Sequence, residues 1–311
     1  MFPINRVTKI NEYQETLQKT LRQTIYIMIR LKIGGVPEHF NLPWRLAIEE
    51  GSFEKINMKL HWSDMPGGTG QMIRGLESES IDIAVLLTEG VSKAILEGLP
   101  AKILSYYVTS PLRWGIHVPF ESNIETPADL NKKTFAISRE GSGSHLMTYV
   151  EAEKQKWDMN SLKFRVVGDL YGGLWSLENN KSQGFLWEKY TTSPFVKQNK
   201  CKFIGEVVTP WPCFVIVASE KINKQYEKEL FEMIQIVCKR AAKLKKDPEA
   251  IEKLSWRYHL EKQEVKNWLK ETEWAEEKNT EPKHIDSVIS FLLKANLITK
   301  ENSKDYLKKL F

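Results

Sequence analysis

The sequence predicts an α/β fold of two lobes followed by a helical C-terminal region. Three observations lead there. Short apolar runs alternate with helix-like patterns through the middle of the chain, which is the pattern of βα units on largely parallel sheets. Two further strand-like runs, Arg113–Val118 and Phe214–Ser219, bracket a second set of such units. The length, 311 residues, also exceeds what one small core needs.

Arg30–Gly34 reads as the first strand, ending at Gly34-Gly35. Leu42–Glu50 reads as a helix, with Asn41 as N-cap, Pro43 near its start and Gly51 at its end. Ile56–Trp62 alternates apolar and polar residues, as a half-buried strand does. A helix with Met72, Ile73 and Leu76 on its apolar face comes next. Ile81–Leu87 is a buried strand, Thr88–Leu96 a helix stopped by Gly98-Leu99-Pro100, and Ala101–Val108 a strand. In the second set, Pro127–Leu130 starts a short helix, and Thr134–Ser138, Leu162–Val167 and Gln183–Trp187 are strands. Helices over Ser144–Lys156 and Tyr171–Asn179 separate them. Beyond Ser219 the chain is helical to its end, broken at Asp247-Pro248. Its stripe of Trp268, Trp274, Ile285, Val288, Ile289, Leu292 and Leu293 reads as packing. The expected lobes are 28–112 with 218–311, and 113–217. Residues 1–27 are expected to be an extension outside the fold, with Met28 as an alternative start.

Composition narrows the function. Hydrophobic residues make up 41% and charged residues 27%, an ordinary globular balance. A net charge of +5 without a long basic stretch argues against nucleic acid. The densest basic run, Lys239, Arg240, Lys243, Lys245 and Lys246, reads as a solvated helix face. Cys201, Cys213 and Cys238 are odd in number and lack CxxC spacing, so neither a disulfide framework nor a zinc site is expected. No histidine pair has HExxH spacing, and no metal, cofactor or catalytic constellation is expected. No run approaches about 18 apolar residues, so membrane insertion is not expected. The apolar patch Ile25–Ile29 is shorter than a secretory core of about 7–15 residues, and no lipobox cysteine is visible. A cytoplasmic protein is therefore expected. A differently assigned N-terminus would make it periplasmic.

In open parallel sheets, ligands sit beyond the carboxyl ends of the strands. The loops there supply the candidate binding residues. Gly35, Pro37, Glu38 and His39 follow the first strand. Gly67, Gly68 and Thr69 open a helix, where glycines admit close approach and N–H groups favour an anion. Ser138, Gly141, Ser142, Gly143, Ser144 and His145 form a second such cradle, richer in hydroxyls. It has neither the lysine of a Walker A loop nor the order of a GxSxG elbow. Thr88 and Glu89, and Trp187 and Glu188, follow two more strands, and three carboxylates on equivalent loops would face one cleft. Tyr171, Trp187 and Trp211 are candidate aromatic walls, and packing is the competing role for each. These groups together suit a small polar ligand, a heterocycle or an amino-acid-like molecule.

The order of these motifs is similar to that of a known family. It runs from Ile33–Pro37 through Pro66-Gly67-Gly68-Thr69, Ile81–Val85, Thr126–Leu130 and Gly141–His145 to Phe185–Glu188 and Phe214–Ser219. This resembles the solute-binding proteins of nitrate, sulfonate, taurine and thiamine-pyrimidine-precursor ABC importers, across roughly residues 30–220. Phe185–Thr192 with Thr209–Cys213 is also similar to a non-secreted subgroup of that fold. The resemblance implies the two-lobed type 2 periplasmic-binding-protein (flytrap) fold, with two crossing strands and hinge closure. It implies a small polar or anionic metabolite between the lobes: a thiamine-pyrimidine precursor, a sulfonate or a related compound. An ABC permease is an expected partner only if the protein is exported. The alternative is an enzyme on this scaffold acting on a small heterocyclic or carboxylic metabolite, with Glu38, His39, Glu89, His145 or Glu188 as acid and base. The cysteine-rich motif of the yeast pyrimidine-precursor synthase has no counterpart here.

Overall fold

The computed structural model describes residues 28–311, so the expected extension at 1–27 lies outside the described residues. The described residues open with β1 (Ile29–Gly35), α1 (Leu42–Glu49), β2 (Met58–Asp64), α2 (Gly68–Glu77), β3 (Ile83–Leu87), α3 (Thr88–Leu96) and β4 (Ala101–Val108). It then crosses to β5 (Arg113–Val118), β6 (Thr134–Ile137), α4 (Gly143–Lys154), β7 (Lys163–Val166), α5 (Leu170–Glu178), β8 (Gly184–Glu188), α6 (Lys189–Lys197) and β9 (Lys202–Val208). It returns at β10 (Phe214–Ser219), which helices follow. These are α7 (Glu220–Gln225), α8 (Glu227–Lys245), α9 (Ala250–Tyr258), α10 (Lys262–Glu271), α11 (Pro282–Lys294) and α12 (Tyr306–Leu310).

Two five-stranded sheets result, ordered β2-β1-β3-β10-β4 and β7-β6-β8-β5-β9. In each, the strand that follows a crossing runs antiparallel between two neighbours: β10 between β3 and β4, β5 between β8 and β9. The crossing segments are 109–112 and 209–213, and they hold each other. Thr209 N donates to Leu112 O at 3.0 Å, and Leu112 N donates to Thr209 Oγ1 at 2.9 Å. These bonds hold the two crossing segments side by side between the sheets.

Two expectations need correction. Phe214–Val217, assigned to the second lobe, pair with β3 and β4 in the first sheet. An all-apolar run looks the same in either core, so the sequence placed the return crossing too late. The strand β9 was not expected at all. It is a half-exposed edge strand carrying Gly205, and both features weaken the alternation that marks a strand.

The cores follow from strand composition. Every residue of β3, Ile-Ala-Val-Leu-Leu, is buried, as befits a strand covered on both faces. The C-terminal helices extend the first lobe: α8 packs on α1, and α11 and α12 pack on α3. The tail stripe is buried there apart from the partly buried Leu293. From this lobe α10 also reaches across to α6 of the second. All three cysteines are free and buried. Among the described residues, no helix is long and apolar enough to cross a membrane.

Phe135 is fully buried in the second sheet, its ring 6.1 Å from that of Trp157. Phe135→Ala is expected to lower unfolding free energy by about 3–5 kcal/mol in urea titration. A change below about 1 kcal/mol would contradict the packing described for this lobe.

Candidate functional site

The loops beyond the carboxyl ends of β1, β2, β3, β6 and β8 converge between the lobes, around two adjoining cavities. The inner cavity holds about 50 Å³. Glu38, Gly68, Thr69, Ser138, Ser142, Gly143, Ser144, Trp187 and Glu188 line it, all of them among the residues expected at the site. The outer cavity holds about 600 Å³ and includes Pro37, His39 and Tyr171. Val36, Glu38 and Trp187 line both, so the two cavities adjoin at these side chains.

Six expected residues line neither cavity. Gly35 backs onto the Trp62 indole, and Gly67 turns its carbonyl to Arg139. Thr88 donates its hydroxyl to Pro212 O at 2.6 Å. Glu89 is buried, accepting from Trp211 Nε1 at 2.9 Å, which also fixes Trp211 as a packed residue. Gly141 donates its N–H to His145 Nδ1 at 2.9 Å, and the His145 ring stands edge-on to Phe164 at 4.4 Å. The expected trio of cleft carboxylates is therefore a pair, Glu38 and Glu188.

The hydroxyls of the second cradle are also used differently than expected. Ser142 Oγ donates to Arg139 O at 2.6 Å and caps α4 by accepting from His145 N. Ser144 Oγ accepts from Ser138 N at 3.0 Å and bonds Ser142 Oγ at 3.0 Å. They shape the loop, and the donors left facing the cavity are backbone N–H groups of the first turn of α4, which have no partner within the helix. At the start of α2, in the first lobe, the Gly68 N–H is donated to Met65 O at 2.9 Å, and Thr69 is the other first-turn residue that lines the cavity. Two helix N-termini from opposite lobes thus bring partial positive charge to one small space.

Between them lies Arg139, which sequence reasoning does not single out. It lines the inner cavity, and its Nη1 donates to Gly67 O across the cleft at 2.8 Å. No carboxylate pairs with it among the described residues. Burial, together with Arg74, lowers it to about 10, so it stays charged at neutral pH. Gly70 makes room for it: a Cβ there would lie 1.7 Å from Arg139 Nε. Gly143 does the same for α4, since a Cβ would meet Trp114 at 2.4 Å and Leu87 of the opposite lobe at 2.6 Å. Sequence reasoning also missed Val36, Leu87, Leu112, Trp114 and Phe214, the apolar part of the lining.

The carboxylates occupy the other side. Glu188 caps α6, its Oε2 accepting from Thr191 N at 2.6 Å and Thr191 Oγ1 at 2.8 Å. Burial outweighs those bonds and raises it to about 7. Glu38 keeps part of its surface open to the cavities, yet burial of its carboxyl and the nearby Glu188 raise it to about 8, against a hydrogen bond from Trp187. His39 Nε2 stands 3.9 Å from Glu188 Oε2, but burial against Phe40, Tyr258 and Trp268 lowers the imidazole to about 3. This contact is thus between a neutral ring and a carboxyl, not an ion pair. Among the described residues, no group of three or more His, Cys, Asp or Glu side chains could hold a metal ion.

Further contacts span the lobes around this site. Tyr190 Oη donates to Glu271 Oε2 at 2.6 Å, and Arg113 Nε meets the same oxygen at 2.9 Å. Lys197 pairs with Glu261 at 2.6 Å, and Lys294 with Glu153 at 2.6 Å. These contacts join the two lobes at the rim of the site.

The raised carboxyls set a pH dependence. A carboxyl that holds its proton more tightly when folded lowers stability as pH rises from the unfolded carboxyl range to its folded value. That effect ends near 7 for Glu188 and near 8 for Glu38. The depressed imidazoles His39 and His117 act in the opposite sense, but below about 6.5. Between pH 7 and 8 the effect of Glu38 remains. The melting temperature is expected to fall over that interval in the wild type and to fall less in Glu38→Gln. Equal declines would contradict the raised carboxyl.

Residues 114–207 match the model of a family described as Ca3427-like PBP. No curated protein sequence matches the chain. Among solved structures, the chain is similar to the Candida albicans CA3427 gene product, described as defining a family with the generic periplasmic-binding-protein fold. The two share 23% identity over 90% of this chain and 95% of that one, with a TM-score of 0.83. The alkanesulfonate-binding protein SsuA from Xanthomonas axonopodis pv. citri, bound to MOPS, shares 17% over 88% and 95%, with a TM-score of 0.75. The nitrate-binding protein NrtA from Synechocystis PCC 6803 shares 14% over 91% and 86%, with a TM-score of 0.69. The chain has the two-lobed type 2 periplasmic-binding-protein fold, and its second lobe carries the Ca3427-like match.

Proposed function

We propose that this protein binds a small organic acid in the interlobe cleft, with the lobes closing over it. One observation carries the reading. Arg139 lines the inner cavity, charged and without a carboxylate partner among the described residues, beside the N-termini of α2 and α4. A buried guanidinium with unused donors favours an oxyanion, which two helix starts reinforce. Glu38 and Glu188 on the other side suit a ligand that also offers an N–H or an amine. Two of the similar proteins are named for anions, an alkanesulfonate and nitrate, and this supports the same class here.

A second reading, an enzyme on this scaffold, rests on the cluster of Glu38, Glu188 and His39. Two carboxyls that titrate near neutrality in one cleft are suited to proton transfer. Product formation from the bound compound would favour that reading.

The test is calorimetric titration with acetate, methanesulfonate and methylphosphonate. The wild type is expected to bind at least one of them at a single site. Arg139→Gln should weaken that binding about 10- to 100-fold, the range for losing a charged hydrogen bond in a buried site. Unchanged affinity in the variant, or no binding by the wild type, would falsify the proposal.

A further inference from the structure

Building on the anion-binding reading above, we propose that the ligand is a two-part acid, with its anionic head in the inner cavity and a neutral or basic aromatic ring in the outer one. Volume is the first argument. A water needs roughly 10–15 Å³ of such space, so about 50 Å³ accommodates an acid group and little more. The outer cavity, about 600 Å³, lies within the range of roughly 300–1,000 Å³ typical of sites for small organic molecules. The cavities adjoin at Val36, Glu38 and Trp187, so a linker of a few atoms is long enough to reach from one to the other.

The second argument is the chemistry of the outer walls. Tyr171 is 69% exposed at the start of α5, an unusual position for so large a ring, and it meets Phe195 edge-on at 6.0 Å. Tyr258, Trp187 and two prolines, Pro37 and Pro194, add further rigid apolar surface. Rings and prolines lose little conformational entropy when a ligand covers them. None of the described residues lining this cavity is a lysine or arginine, whereas Glu38 and Asp169 are among them. A second anionic group is therefore disfavoured, and a neutral or basic ring is favoured. His39 lies in the same wall, and its buried Nε2 has no hydrogen-bond partner among the described residues. It stands 3.9 Å from Glu188 Oε2, within the wall and shielded from the cavity.

Matched pairs of ligands test the proposal: methanesulfonate with 2-phenylethanesulfonate, methylphosphonate with 2-phenylethylphosphonate, and acetate with 3-phenylpropanoate. The readout is the aryl-to-methyl affinity ratio in the wild type, in Tyr171→Ala, which removes a wall, and in Gln198→Trp, which enlarges a side chain lining the outer cavity and so fills it. For the anion class that binds, the wild-type ratio is expected to be about tenfold or more, the gain from burying a ring. It should fall to about threefold or less in each variant that folds. Methyl compounds that bind as well as their aryl partners overturn this inference and leave the inner anion site standing. A ratio that persists in both variants also overturns it, because the ring then lies elsewhere. Failure of every compound to bind overturns the anion site and this inference together.

Discussion

The organisation of the cleft depends on a single cation placed between two lobes. Arg139 belongs to the loop after β6, yet its one protein hydrogen bond from Nη1 runs to Gly67 O in the opposite lobe. A carbonyl is a weak partner for a buried guanidinium, and the absence of a carboxylate leaves most of its donors available. The surrounding sequence serves that placement. Gly70 leaves out the side chain that would collide with it, and the starts of α2 and α4 add partial positive charge on either side. An oxyanion entering this space would compensate all three, and by touching both lobes it would stabilise the closed arrangement over an open one.

The carboxyl pair complements this arrangement. Glu38 comes from the first lobe and Glu188 from the second, and burial in one poorly solvated space raises both. At neutral pH at least one tends to keep its proton, which limits mutual repulsion and leaves the pair able to donate as well as accept. Around the rim, the pairs of Lys197 with Glu261 and Lys294 with Glu153 are largely exposed and contribute little each.

Much of the fold was legible because period and composition report which elements exist. β1, β3, β4, β6 and β8 appear where the apolar runs and glycine stops indicated, as do the helices after β1, β3 and β6, whereas α6 after β8 was not foreseen. The edge strand β9 was not, since half-exposed alternation interrupted by Gly205 does not stand out in sequence. For the site, the chain revealed which loops converge but not which way each side chain points. Thr88, Glu89 and His145 sit on the right loops and turn into protein, towards Pro212, Trp211 and Phe164. Ser142 and Ser144 face the cavity but spend their hydroxyls on the loop itself. Arg139 was missed for the complementary reason. Flanked by Ser138 and Glu140 it reads as a solvated loop charge, and its burial depends on Gly70, which lies far away in sequence.

The most direct measurement is native mass spectrometry of the protein purified from its own host, followed by identification of whatever is released on denaturation. The account predicts one small acid per chain, present on purification or taken up from host extract. A protein that stays empty through both steps, or that releases a compound without an acidic group, would contradict it.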